Sequence, residues 1–194
     1  MNILRKLYDW TLNKANHPKS HWFLALISFA ESSFFPIPPD IILIPMIIAK
    51  RTKAFIYAMV CTISSVLGGV FGYLIGYFFY NSIGFLIVRY YSLDDLFSKF
   101  ESNFNEYGYL IVFGASFTPF PFKFITIASG LFGLNIFLFI LFAFIGRGLR
   151  FFLLAALLKL FGNIISKLID RYFNILATLF CILLIGGFIL IKYL

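Results

Sequence analysis

The stretch Phe34-Phe35-Pro36-Ile37-Pro38-Pro39-Asp40 (FFPIPPD, residues 34–40) lies inside an apolar run that extends from Trp22 to Ala49. A run of that length can enter a membrane, since one helical crossing takes about 20 apolar residues. Yet Pro36, Pro38 and Pro39 each stop the helix before them, because proline lacks an amide N–H and its ring clashes with the preceding turn. Asp40 is costly in lipid, by about 2.5–3.5 kcal/mol at a helix centre on insertion scales. The combination reads as a break in the helix with a charge at its tip.

The pattern recurs. Phe117-Thr118-Pro119-Phe120-Pro121-Phe122-Lys123 shares the arrangement Phe-x-Pro-x-Pro-x-charge. A short run of apolar and small residues follows each copy, and then a long apolar helix. Internal duplication explains both copies. Basic residues flank the first copy on both sides: Lys14 and Lys19 before it, Lys50, Arg51 and Lys53 after it. The positive-inside rule puts both flanks in the cytoplasm, so the segment enters, turns and leaves. The segment before the second copy carries Asp94, Asp95, Glu101 and Glu106, which suits the outside. The second copy then re-enters from that face. Two such segments from opposite faces make an inverted-topology repeat, with a site expected at mid-membrane. A kinked spanning helix is the alternative for each copy.

Composition agrees with a membrane protein. The chain has 194 residues, 61% of them hydrophobic, and a mean hydropathy of +0.95. A soluble domain of this size cannot bury that much apolar surface. The net charge of +8 sits mostly beside apolar runs, so it reads as topology signal and lipid-surface contact and not as nucleic-acid binding. Cys61 and Cys181 both lie in apolar runs and read as plain buried thiols.

The fold class expected is an all-α polytopic membrane protein, an inverted repeat with two re-entrant helical hairpins plus three spanning helices. Residues 1–21 read as an N-terminal interfacial amphipathic segment, with Ile3, Leu4, Leu7 and Trp10 near one helical face. Residues 22–172 form the membrane domain, with re-entrant segments 22–49 and 108–131 and spanning helices 54–80 and 135–160. Residues 92–106 read as a surface helix between them, and 173–194 as a C-terminal spanning helix. Gly68, Gly72 and Gly76 recur at every fourth position and offer a smooth face for close helix contact, within the monomer or in a homodimer.

Five ionisable residues fall at membrane depth: Glu31, Asp40, Lys123, Arg147 and Arg150. Arg147 and Arg150 are three apart and share a helix face. Asp40 begins a half-helix, where the helix dipole favours an anion. Lys123 holds the equivalent place, which suits a cation if an anion comes there to be shared. Glu31 and Asp40 are therefore the candidates for proton coupling and gating, and Lys123, Arg147 and Arg150 for anion binding. Pro36, Pro38, Pro39, Pro119 and Pro121 are the re-entrant tips. The structural alternative is mutual pairing, Glu31 with an arginine and Asp40 with Lys123. No catalytic, metal or cofactor constellation is legible. His17 and His21 read as interfacial, and the serines at 32, 33, 64, 65, 116 and 129 lack an adjacent base.

Glu31 through Asp40, the second Pro-x-Pro tip and Gly146-Arg147-Gly148-Leu149-Arg150 resemble the DedA (VTT-domain, SNARE-associated) membrane protein family, closest to its small bacterial YqaA-like branch. The resemblance covers roughly residues 20–160. It implies two facing re-entrant hairpins and movement of lipid between leaflets. Bacterial members are implicated in recycling undecaprenyl phosphate and other anionic lipids with proton coupling, and eukaryotic relatives are phospholipid scramblases. By this resemblance Glu31 and Asp40 take the place of the family's functional acids, and Arg147 and Arg150 that of its paired intramembrane bases. Many members have Pro-Gly-Glu at the first tip and Gly-x-Arg at the second, where Pro38-Pro39-Asp40 and Pro121-Phe122-Lys123 stand here. The expected function is an integral membrane translocase for an anionic lipid, coupled to protons or to the membrane potential, in a bacterial inner membrane with the N-terminus cytoplasmic. A proton-coupled antiporter and a non-transporting envelope scaffold are the alternatives.

Overall fold

The structure is a computed structural model that describes residues 20–35, 38–80, 82, 90, 94–118 and 120–162. The N-terminal segment, Pro36, Pro119 and the C-terminal spanning helix expected from the sequence lie outside these residues. The described residues are helical and contain no strand.

Helix α1 is Ser20–Ser33 and α2 is Asp40–Ala49. A 3-10 turn, Arg51–Lys53, leads into α3, Ala54–Phe79. Then come α4, Asp94–Phe117, α5, Phe122–Leu131, and α6, Ile136–Gly162. At 1.5 Å per residue, α3 and α6 are each about 40 Å long, enough to cross a bilayer core, whereas α2 and α5 reach only about 15 Å. Both short helices start behind a proline at the cap position, Pro39 for α2 and Pro121 for α5. Proline at a helix start gives up an N–H that has no partner there anyway. Gly133, at a positive φ of 65°, ends α5, and the Asn135 side chain accepts from the amides of Phe137 and Leu138 to start α6.

The surface helix expected over 92–106 and the arm expected from 108 are one continuous helix, α4. Nothing between Glu106 and Gly108 breaks it. Proline first appears only at Pro119, and Gly108 packs close to the Leu134 side chain.

The two halves pack in the same register. Helix α1 runs parallel to α3: the Ser28 hydroxyl donates to the carbonyl of Cys61, 33 positions later, and the Ser32 and Ser65 hydroxyls, equally spaced, are 2.7 Å apart. Helix α4 follows α6 with the same offset, as Tyr109 stacks on Phe142 at 5.8 Å and Gly146 lies against the carbonyl of Phe113. Helices α3 and α6 are antiparallel: Phe55 stacks on Phe152, Gly148 faces Thr62, and Phe139 meets Tyr73. Helix α1 stops at the level of Gly68, where the Ser33 hydroxyl donates to the Gly68 carbonyl at 2.9 Å. Helix α5 takes over there, with Phe122 against Gly69 and Ile127 against Gly76.

The glycine face of α3 is thus used inside the chain. A Cβ at Gly68 would strike the backbone of Phe29, one at Gly76 the backbone of Ile127, and one at Gly72 the Thr126 hydroxyl. A dimer would need another surface.

Large apolar side chains face outward as well as into the core. The buried face of α3 carries Thr62, Ser65, Gly68, Gly69, Gly72 and Gly76, while Ile56, Met59, Ile63, Leu67, Phe71 and Phe78 are exposed. Helix α6 exposes Phe137, Leu141, Phe144, Leu149, Leu153 and Leu157 and buries Arg147. Large apolar surfaces turned outward, with small and polar groups at the helix contacts of α3, suit hydrocarbon as the solvent.

Candidate functional site

Both helix breaks arrive beside α6 at the level of Arg147 and Arg150. Each arginine takes one partner from each broken segment. The Arg147 guanidinium lies 3.2 Å from Glu31 Oε2 and 3.4 Å from Oε1, at the end of α1. It also lies over the ring of Phe122, the first residue of α5, at 4.3 Å, with Phe151 at 5.8 Å. Arg150 is ion-paired through Nη2 to Asp40 Oδ2 at the start of α2, and through Nη1 it donates to the Thr118 carbonyl, 2.7 Å away in the second break.

The two pairs differ in their surroundings. The Arg147 side chain is 1% exposed and that of Glu31 11%. Those of Arg150 and Asp40 are 18% and 20% exposed. A charge as deep as Arg147 is tolerated only when paired, and breaking such a pair costs about 3–5 kcal/mol. The aromatic faces beside it add cation–π attraction, which strengthens as water is excluded. Arg147 Nε and Asp40 Oδ1 are buried atoms without a hydrogen-bond partner.

Serine hydroxyls support Glu31 from behind. Ser32 donates to Glu31 Oε2 at 3.0 Å and lies 2.7 Å from Ser65 on α3. A hydroxyl has a single proton, so with Ser32 donating to Glu31 it is Ser65 that donates to Ser32. The Thr126 hydroxyl ties α5 to this row through the Ser32 carbonyl at 3.2 Å.

The structure therefore brings together four of the five charged candidates: Glu31, Asp40, Arg147 and Arg150. Lys123 joins neither pair; its ammonium lies 5.5 Å from the Phe124 ring. The partner of Asp40 is Arg150, not Lys123 as mutual pairing had suggested, because the first break docks on α6 and not on the second tip. Pro38 is half-buried and Pro39 buried beside Asp40, and Pro121 caps α5. Sequence reasoning missed Ser32, Ser65, Thr118 and Phe122. The spacing of Ser28 and Ser32 against Cys61 and Ser65 was a usable signal for the serines. A backbone carbonyl such as that of Thr118 leaves none.

Residues 36–160 match the VTT domain, the domain of the DedA family. The chain belongs to the DedA family. An uncharacterized protein of Haemophilus influenzae is 33% identical over 192 residues, 99% of this chain and 100% of its own length. A protein of Histophilus somni, described as a homolog of an uncharacterized protein, is 35% identical over 157 residues, 81% of this chain and 82% of its own. No solved structure matches the chain. As a DedA-family member it is a membrane protein, in keeping with two helices long and apolar enough to cross a bilayer.

Proposed function

We propose that this DedA-family chain is a flippase- or scramblase-like translocase that carries an anionic lipid head group, a polyprenyl phosphate or a phospholipid, between leaflets. The observation that supports this most is the convergence of both helix breaks on two arginines in the middle of α6. Broken backbone at membrane depth is tolerated only inside protein or beside a water-filled cavity. Intramembrane charges by default mark a path for a charged substrate. In this reading α1–α2 and α4–α5 are re-entrant hairpins from opposite faces, and α3 and α6 span. Lys50, Arg51, Lys53 and Lys159 lie at one end of the α3–α6 pair. Asp94, Asp95, Glu101 and Glu106 lie on the opposite end of the fold, on the first turns of α4. That polarity supports a reading in which the basic end faces the cytoplasm of a bacterial inner membrane. Asp40 couples transport to protons by releasing Arg150, Arg150 and Lys123 meet the phosphate, and the sealed Arg147–Glu31 pair holds them at that depth. No residue is assigned a catalytic role.

Leaflet exchange in proteoliposomes tests the proposal. Purified protein is reconstituted with a labelled anionic lipid or polyprenyl phosphate, with and without a pH gradient, beside Asp40→Asn and Arg150→Gln. Exchange by the wild type that either substitution abolishes supports the proposal. No exchange of any lipid by folded protein sinks it and favours a small-ion antiporter or a scaffold.

A further inference from the structure

We propose that the two arginines of α6 do different jobs: Arg147 with Glu31 is a fixed strut, and Arg150 with Asp40 is a latch that an anionic head group opens. The use made of the opening rests on the translocase reading; the latch itself rests on the geometry of its four groups.

Arg147 is sealed. Glu31 takes its charge, the Phe122 ring lies 4.3 Å from its guanidinium, and its side chain is almost wholly excluded from solvent, although its Nε has no hydrogen-bond partner. Withdrawing either partner strands a charge in a dry place. Ser32 and Ser65 further fix the carboxylate.

Arg150 is held differently. Its side chain and that of Asp40 are partly exposed, and both its acceptors, Asp40 Oδ2 and the Thr118 carbonyl, flank the helix breaks and not helix interiors. Asp40 uses one carboxylate oxygen and leaves the other unbonded. Two acceptor oxygens on one phosphorus fit the planar guanidinium fork and can replace both partners at once. A released Asp40 still begins α2, where the free amides of the helix start favour its charge. Because Arg150 ties Asp40 in the first break to Thr118 in the second, replacing its partners also unties the two tips. Anion binding and tip separation become one event.

Spin labels at Phe34→Cys and Thr118→Cys, both exposed positions, report the tip-to-tip separation in a background with Cys61 and Cys181 replaced by alanine. The protein is held in nanodiscs of phosphatidylcholine alone, with added phosphatidylglycerol, or with inorganic phosphate in the buffer. Arg150→Gln should abolish the short-distance component in phosphatidylcholine, and phosphatidylglycerol should reduce it in the wild type. Opening by inorganic phosphate alone upholds the latch and assigns it to a soluble anion. The double variant Glu31→Gln/Arg147→Gln, which removes both strut charges together, should keep the short distance. A separation that ignores both the anion and Arg150→Gln overturns the latch, as does opening by the strut variant only. A latch that responds while no lipid exchanges removes the translocase reading and leaves the latch standing.

Discussion

Glu31 and Arg147 meet at 3.2 Å between the end of α1 and the middle of α6, and this ion pair is the deepest in the described part of the molecule. It joins the first broken segment to α6 at the level where both helix breaks lie. The stability of the fold and the placement of its charges are therefore coupled at one contact.

Removing one member of that pair should be far worse than removing both. Arg147→Ala is expected to cost about 3–5 kcal/mol, because Glu31 is left as an unpaired buried charge. The double replacement Glu31→Leu/Arg147→Met, which fills the same space without charge, should recover much of the loss. Thermal unfolding in detergent measures both, and a double variant less stable than Arg147→Ala would refute the account.

The glycines of α3 should be intolerant of a single added methyl. Gly76→Ala drives a Cβ into the backbone of Ile127 and Gly68→Ala into that of Phe29. Neither neighbour can move without displacing α5 or α1. Gly114 has nothing within 4 Å of its Cβ direction. Gly114→Ala should therefore stabilise the helix, by roughly 0.5–1 kcal/mol. Melting temperatures of the three variants should fall, fall and rise.

Lysine should not substitute for Arg150. One ammonium cannot take two oxygens of one phosphate in the plane of a fork, as the guanidinium does. Arg150→Lys is expected to slow lipid exchange by roughly tenfold or more, the effect of about 1.4 kcal/mol at the binding step. Lys123→Ala, outside both pairs, should have a smaller effect. Initial exchange rates in proteoliposomes rank the two.

The serine row should show a graded cost. Ser32→Ala removes a donor from Glu31 and leaves the Ser65 hydroxyl without its acceptor, for about 1–3 kcal/mol. Ser65→Ala removes one outer hydrogen bond and should cost about 1 kcal/mol. Ser64→Ala, outside the row, should be near neutral. Unfolding midpoints of the three variants test the order.

Much of the site was readable before any coordinates. The clustered prolines at 36, 38, 39 and at 119, 121 mark breaks in the apolar runs because each lacks an N–H, whereas the single Pro45 sits inside α2. Glu31, Asp40, Arg147 and Arg150 stood out because charge in hydrocarbon is costly wherever it sits. The glycine spacing on α3 announced a close contact but not its partners. The continuity of α4 was obscured because its polar first half and apolar second half read as two elements, although no residue between them stops a helix.

The sequence alone determined that this is an apolar helical chain with two similar breaks and a small set of buried charges, since backbone chemistry and transfer cost act residue by residue. Only the tertiary structure decided that Asp40 pairs with Arg150 and not with Lys123, that Arg147 is sealed while Arg150 is not, and that α1 and α5 share the glycine face of α3. Those outcomes depend on how residues about a hundred positions apart in the chain come together. Such contacts follow from the mutual fit of helices, which no local pattern encodes.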